Sequence, residues 1–218
     1  MARREKKTFS SLLGRIITTN MITFINFATG EPYETFRKYN SWTAKQFGKV
    51  DRVIEYTMDD IPKEYIDSHY RIFSNNRGMG LWLWKPYFID RTLGKLNDGD
   101  WLFYVDSGAV IINDVHKLIR CAEEQGQDVM TFEMPLLNHQ FTKKECFEAL
   151  GITDYTQNQL AAGYLLVRNT VKARKFVKDW LTACENETLL SPEKFNTDVV
   201  EFPDFVSHRE DQSLLTLM

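Results

Sequence analysis

The sequence predicts an α/β fold, a mixed and mostly parallel central sheet with helices on both faces. Three observations carry that expectation. Apolar runs at 21–27, 50–56, 101–105, 129–134 and 162–167 have the length and the β-branched or aromatic content of strands. Segments of helical periodicity lie between them, so strand and helix alternate as in βαβ units. Several runs are continuously apolar, as suits strands buried on both faces.

The bulk numbers narrow the class further. The 218 residues suffice for one domain with a full core. A net charge of −3 provides no basic face, so nucleic acid is not an expected partner. Cys121, Cys146 and Cys184 are too few and too scattered for a disulfide framework or a zinc site, and they point to a reducing compartment. No run approaches the roughly 18 apolar residues that span a bilayer. No secretory leader follows the basic start, so the expected location is the cytoplasm.

Residues 1–20 read as a basic extension and 21–218 as a single domain. In the extension, Arg3, Arg4, Lys6, Lys7 and Arg15 accompany Leu12, Leu13, Ile16 and Ile17. That pattern fits either an amphipathic helix on an anionic membrane, a peripheral contact, or a poorly ordered lead-in. A strand at 21–27 then breaks at Ala28-Thr29-Gly30, and Pro32 opens a helix with Tyr33, Phe36, Tyr39 and Phe47 as apolar positions, ended by Gly48. The second strand, 50–56, precedes a short helix around Pro62 and Tyr70. A polar, glycine-containing loop at 75–80 leads into Leu81-Trp82-Leu83-Trp84-Lys85-Pro86, with Pro86 in the first turn of a helix reaching 96.

Next comes Gly99 to Asn113, around which the chain is organised. Trp101 to Val105 end abruptly in Asp106-Ser107-Gly108, and the apolar Ala109 to Ile112 follow. An aspartate at the carboxyl end of a buried strand sits where open α/β sheets place ligands, although a turn with a capping Asp reads equally well. Val115, Leu118, Ile119 and Ala122 then make a helix stripe at 114–125. Thr142 with Glu145 fits a capping box and Gly151 the matching C-terminus. Asn169 is placed to cap the most regular helix, where Ala173, Phe176, Val177, Trp180, Leu181 and Cys184 share one face. After Arg209-Glu210-Asp211, Leu214 to Met218 start a last helix.

Four of these stretches together resemble nucleotide-sugar glycosyltransferases of the GT-A fold, most closely the small soluble kind found in bacterial polysaccharide clusters and large DNA viruses. The resemblance covers about 21–218. It implies that Phe27, Ala28, Thr29, Gly30 and Tyr33 lie beside the donor's nucleobase, and that Arg77 and Lys85 supply cations for its diphosphate. It places the acidic motif at Asp106-Ser107-Gly108, where Gly108 stands in place of the second carboxylate. Mn²⁺ or Mg²⁺ would then rest on Asp106, with His208 as an extra ligand. The opposite outcome is a metal-independent enzyme that relies on Arg77 and Lys85.

The resemblance also implies Asp211 as base for the acceptor hydroxyl, with Glu210 second; an N-cap role for Asp211 is the alternative. Trp84, Glu133, Gln159 and Gly163 are candidates for sugar or acceptor contact. The expected activity is transfer from a nucleotide diphosphate sugar, UDP-linked by resemblance, to a glycan or lipid-linked acceptor. A nucleotidyltransferase acting on sugar phosphates is one alternative, though Ala28-Thr29-Gly30-Glu31-Pro32 lacks the basic, glycine-rich signature that chemistry favours. A non-catalytic carbohydrate- or nucleotide-binding module is the other.

Overall fold

The computed structural model describes residues 20–218, so the reading of the basic extension lies outside the described residues. Strand β1 (Ile22–Phe27) is buried along its whole length, as is β3 (Trp101–Val105). They pair in parallel with each other, and β1 pairs in parallel with β2 (Arg52–Tyr56). Two short strands, β4 (Val129–Met130) and β7 (Tyr164–Arg168), complete a five-stranded sheet of order β2-β1-β3-β7-β4. Only β7 runs against the others, pairing antiparallel with both β3 and β4. The sheet is therefore mixed and mostly parallel.

Alternate residues of the two central strands feed two cores. Ile22, Phe24, Trp101, Phe103 and Val105 pack with Ala44, Val115, Ile119 and Ala122 on one face. Ile25, Phe27, Leu102 and Tyr104 pack with Phe88, Ile89, Val177, Trp180 and Leu214 on the other. Helices thus cover both faces, the expected α/β arrangement. Trp84–Leu93, Val171–Cys184 and Glu210–Leu217 lie together on the second face.

Helix α1 (Tyr33–Gln46) departs from expectation in its orientation. Its buried face is Arg37, Asn40, Ser41, Thr43 and Ala44, while Tyr33, Phe36, Tyr39 and Trp42 are exposed. Hydrogen bonds hold it to the sheet. Arg37 donates to the carbonyls of Ala28 and Tyr56 at 2.8 and 3.0 Å, and Asn26, buried on β1, donates to Asn40 Oδ1 at 2.6 Å. These bonds satisfy much of the buried polar face, although Asn26 Oδ1 and Arg37 Nε have no hydrogen-bond partner and Arg37 Nε meets Glu55 only as an ion pair at 3.5 Å. The usual rule of apolar side inward does not apply.

Other boundaries differ for local reasons. The predicted strand 129–134 breaks, and Glu133 begins β5 (Glu133–Leu137), which pairs with β6 (Asn158–Leu160) in a separate two-stranded sheet. Thr170, not Asn169, caps the Val171–Cys184 helix, its side chain accepting from Ala173 N–H. Asn169 instead holds the carbonyls of Leu96 and Asn97. The 142–145 capping box does not form, because Thr142 donates to Asn138 and Glu145 pairs with Lys143 at 2.7 Å. The last helix starts at Glu210, which puts Asp211 inside its first turn.

Candidate active site

The chain leaves β3 at Asp106, whose backbone N–H donates to Gly163 O at 2.9 Å in the turn ahead of β7. Tyr104, two residues back on the same face of the strand, donates its hydroxyl to Asp106 Oδ1. Lys85, in the first turn of the Trp84–Leu93 helix, reaches the same carboxylate at 3.5 Å and Asp211 Oδ2 at 2.9 Å. Three elements distant in sequence thus meet in one carboxylate–ammonium–carboxylate cluster.

The Lys85 side chain is only 4% exposed, and a buried ammonium is tolerated only when paired. Burial alone would pull its pKa down, but the Asp106 and Asp211 carboxylates outweigh that and hold it above the ordinary lysine value. The rings of Trp84 and Tyr104 lie 5.8 and 5.6 Å from the ammonium and add cation–π attraction. Asp211 is buried as well, and its carboxyl is pushed up to about 6 by burial, against the opposing pull of Lys85. Its Oδ2 is buried at the cavity wall, where the Lys85 ammonium stands 2.9 Å away.

Arg77 and Glu210 form the neighbouring pair, Nε to Oε1 at 2.6 Å, with the Glu210 carboxylate buried and the Arg77 guanidinium largely exposed over the Trp82 ring. Burial raises the Glu210 pKa while Arg77 draws it back. The segment between Arg77 and Leu83 is a left-handed turn. Gly78, Met79, Gly80, Leu81 and Trp82 take φ of +58°, +53°, +92°, +53° and +61° in succession. Side chains rarely tolerate this region, and two glycines are needed for packing too: a Cβ on Gly78 would stand 2.3 Å from the Trp82 ring, and one on Gly80 2.6 Å from Phe73. Gly78 O accepts both the Trp82 backbone N–H at 3.2 Å and the Trp84 indole N–H at 2.8 Å.

Two cavities open at this end of the sheet. An apolar one of about 520 Å³ is lined by Phe27 and Trp84, stacked at 3.8 Å, with Tyr33, Phe36, Met79 and Ala28 around them. A polar one of about 350 Å³ is lined by Arg77, Lys85, Arg209, Glu210, Asp211 and Gln212, with Gly163 at its edge. Asp106 and Trp82 line both. The carboxylate predicted as central therefore sits at their junction, its side chain 48% exposed.

Of the residues expected around the nucleobase, Phe27, Ala28, Thr29 and Tyr33 line the apolar cavity, as do Ser107 and Gly108 of the acidic motif. Gly30 does not; its φ of +76° serves the turn into α1, where its N–H donates to Glu34. Trp84 is a buried wall of the apolar cavity and lines no part of the polar one. Glu133 leaves with the small sheet, accepts from Asn158 and lines neither cavity. Gln159 is fully buried, its side chain bonded to Phe141 O, Thr142 and Gln212, so it props the last helix and lines neither cavity.

His208 is likewise turned away from the cavities. It is buried, its Nδ1 accepts from Lys143 N–H at 3.3 Å, and burial pushes its pKa down to about 3. Asp106 is then the carboxylate that opens onto the junction, and among the described residues no three His, Cys, Asp or Glu side chains gather as a metal nest. Such a donor set fits a divalent ion only in the manner of Mg²⁺ or Mn²⁺ sites completed by phosphate oxygens and water. Phe36, Met79 and the Tyr104 hydroxyl were not anticipated. Only Tyr104 left a sequence signal, its two-residue spacing from Asp106 on a strand.

No family model and no curated protein matches the sequence. Among solved structures, the chain is similar to mouse xyloside xylosyltransferase 1 in its apo form, at 8% identity and a TM-score of 0.46, covering 91% of this chain and 80% of that one. It is also similar to a glycosyltransferase involved in the glycosylation of the major capsid of PBCV-1, at 11% identity and a TM-score of 0.34, covering 77% and 73%. At these identities and scores the likeness assigns no residue a role.

Proposed function

We propose that the chain transfers a sugar from a nucleoside diphosphate donor, UDP-linked in the first instance, to a hydroxyl of a glycan or lipid-linked acceptor. The observation that carries this reading is Lys85 held between Asp106 and Asp211 where an aromatic cavity meets a polar one. The aromatic cavity has the size and walls for a nucleoside, since base–aromatic stacking is worth about 1–3 kcal/mol. The diphosphate would lie at the junction, beside Lys85 and Arg77. Glu210 fixes the Arg77 guanidinium at the rim of the polar cavity.

In the transfer, the acceptor oxygen bonds to the anomeric carbon as the bond from that carbon to the diphosphate breaks. The electron pair of the broken bond stays on the diphosphate, where the fixed cations offset it. The acceptor proton passes to Asp211, which burial has made a stronger base than an exposed aspartate. A divalent ion on Asp106 and the phosphate oxygens would add charge neutralisation at the leaving group.

The test is incubation with a panel of nucleotide sugars, with and without Mn²⁺, following release of nucleoside diphosphate. Turnover that chelation lowers, that Asp106→Asn deprives of metal stimulation, and that keeps its metal affinity in His208→Ala supports both the activity and the reduced metal site. Absence of binding and turnover for every donor defeats the proposal, and pyrophosphate release would replace it with nucleotidyl transfer.

A further inference from the structure

The outward face of α1 is apolar, and the loop after β3 extends it. Tyr33, Phe36, Tyr39 and Trp42 recur every third residue, with ring centroids 6.4 Å apart for Tyr33–Phe36 and 5.7 Å for Tyr39–Trp42; Trp42 then meets Phe47 at 5.7 Å. The 109–112 loop is tied alongside, since Asn40 donates to Ala109 O at 2.9 Å and Ile111 N–H donates to Thr43 at 3.0 Å. That docking leaves Val110 half exposed and Ile112 82% exposed beside the aromatic row. A contiguous patch of this kind on an otherwise ordinary surface marks an interaction site.

We propose that this face is a docking surface for an anionic lipid bilayer. Three features favour lipid. Lys38, Lys45 and Lys49 are exposed on and just past α1, while acidic groups of the same region are engaged locally: Glu34, Asp51 and Asp114 accept from the backbone amides of Gly30, Ile22 and His116, and Glu31 accepts from the Thr35 hydroxyl. Aromatic and aliphatic side chains flanked by lysines are the composition of a surface that enters the headgroup boundary, whereas Ile112 and Val110 offer no flat face for a sugar ring. The segment 1–19, with five Lys and Arg and the apolar Leu12, Leu13, Ile16 and Ile17, joins the fold at this same end. Ile22 and Asp51 exchange hydrogen bonds of 2.7 and 3.0 Å just past Phe47.

The experiment is co-sedimentation of the full chain with phosphatidylcholine vesicles, plain or containing about one third phosphatidylserine. Binding to the anionic vesicles, lowered about ten-fold or more by Trp42→Ser with Ile112→Ser, is expected. Nucleotide binding and circular dichroism of that variant should match the parent, because neither residue lines a cavity. Binding to neither vesicle overturns the proposal. So does binding that the double variant leaves intact but replacement of Arg3, Arg4, Lys6 and Lys7 by Glu abolishes, since the preceding segment would then act alone. Concentration-dependent self-association without vesicle binding would give the face to a second copy and overturn it equally.

Discussion

Lys85 is the residue on which both stability and chemistry converge. Replacing it with Ala would leave Asp106 and Asp211 facing each other with no cation between them. Removing one partner of a buried ion pair costs about 3–5 kcal/mol, and losing a fixed cation at a developing charge costs roughly 100- to 1,000-fold in rate. Lys85→Ala should therefore lower the urea midpoint and nearly abolish nucleotide release; wild-type turnover in a folded variant would remove Lys85 from the mechanism. Asp211 makes a pH prediction. Its carboxyl is raised above the ordinary aspartate value to about 6, so protonation of the folded state supports stability at low pH and fades as pH climbs from about 4 through about 6. As the proposed base, conversely, Asp211 would work only when ionised. Activity should fall on acidification through about 6, and a pH profile without that limb would assign the proton elsewhere. Gly163 tests placement: a Cβ there would stand 3.0 Å from Asp106 Oδ2, so Gly163→Ala should cut turnover about ten-fold with little change in melting, by displacing a carboxylate that must be held closely.

Among the elements, the left-handed turn at 78–82 accounts for most of the strain in the site. Each non-glycine residue in that conformation costs about 1–2 kcal/mol, and Met79, Leu81 and Trp82 all adopt it. The turn carries Trp82 to the junction of the cavities and supports Trp84 through Gly78 O. Gly78→Ala adds the penalty of its own φ and an overlap with the Trp82 ring. It should weaken nucleotide binding, read by calorimetry, more than it lowers thermal stability; unchanged affinity would separate the turn from the donor site. The sequence showed a glycine-containing loop here but not its handedness, because five successive positive φ values follow from what packs around the loop, Phe73 and Trp82 above all. Helix α1 shows a second limit of local reading. The positions of its ends were legible from Pro32 and Gly48, yet its apolar side faces outward because Asn26 and the carbonyls of Ala28 and Tyr56 demand polar partners.

Across the whole molecule, the site lies where β1 and β3 end side by side and the Trp84–Leu93 and Glu210–Leu217 helices start. No described helix is long and apolar enough to cross a membrane; α1, 14 residues long with its polar face held to the sheet, is proposed to lie on a bilayer surface. The site and that surface also share an element: Tyr33 and Phe36 line the aromatic cavity at one end of the row that Trp42 and Phe47 close at the other. Anionic vesicles should accordingly raise transfer to a lipid-linked acceptor while leaving donor hydrolysis unchanged, and equal stimulation of both would point to a change in the site itself. The sequence by itself determined the central strands, their breaks at small residues, and the charged side chains parked at those breaks, because strand length, periodicity and turn chemistry are local properties. Only the tertiary structure decided that Lys85 stands between Asp106 and Asp211, that Arg77 is tied to Glu210, and that His208, Gln159 and Glu133 turn elsewhere. Those outcomes depend on which faces of distant elements are pressed together, and on which buried polar groups find partners there; periodicity says what shares a face, not what that face will meet.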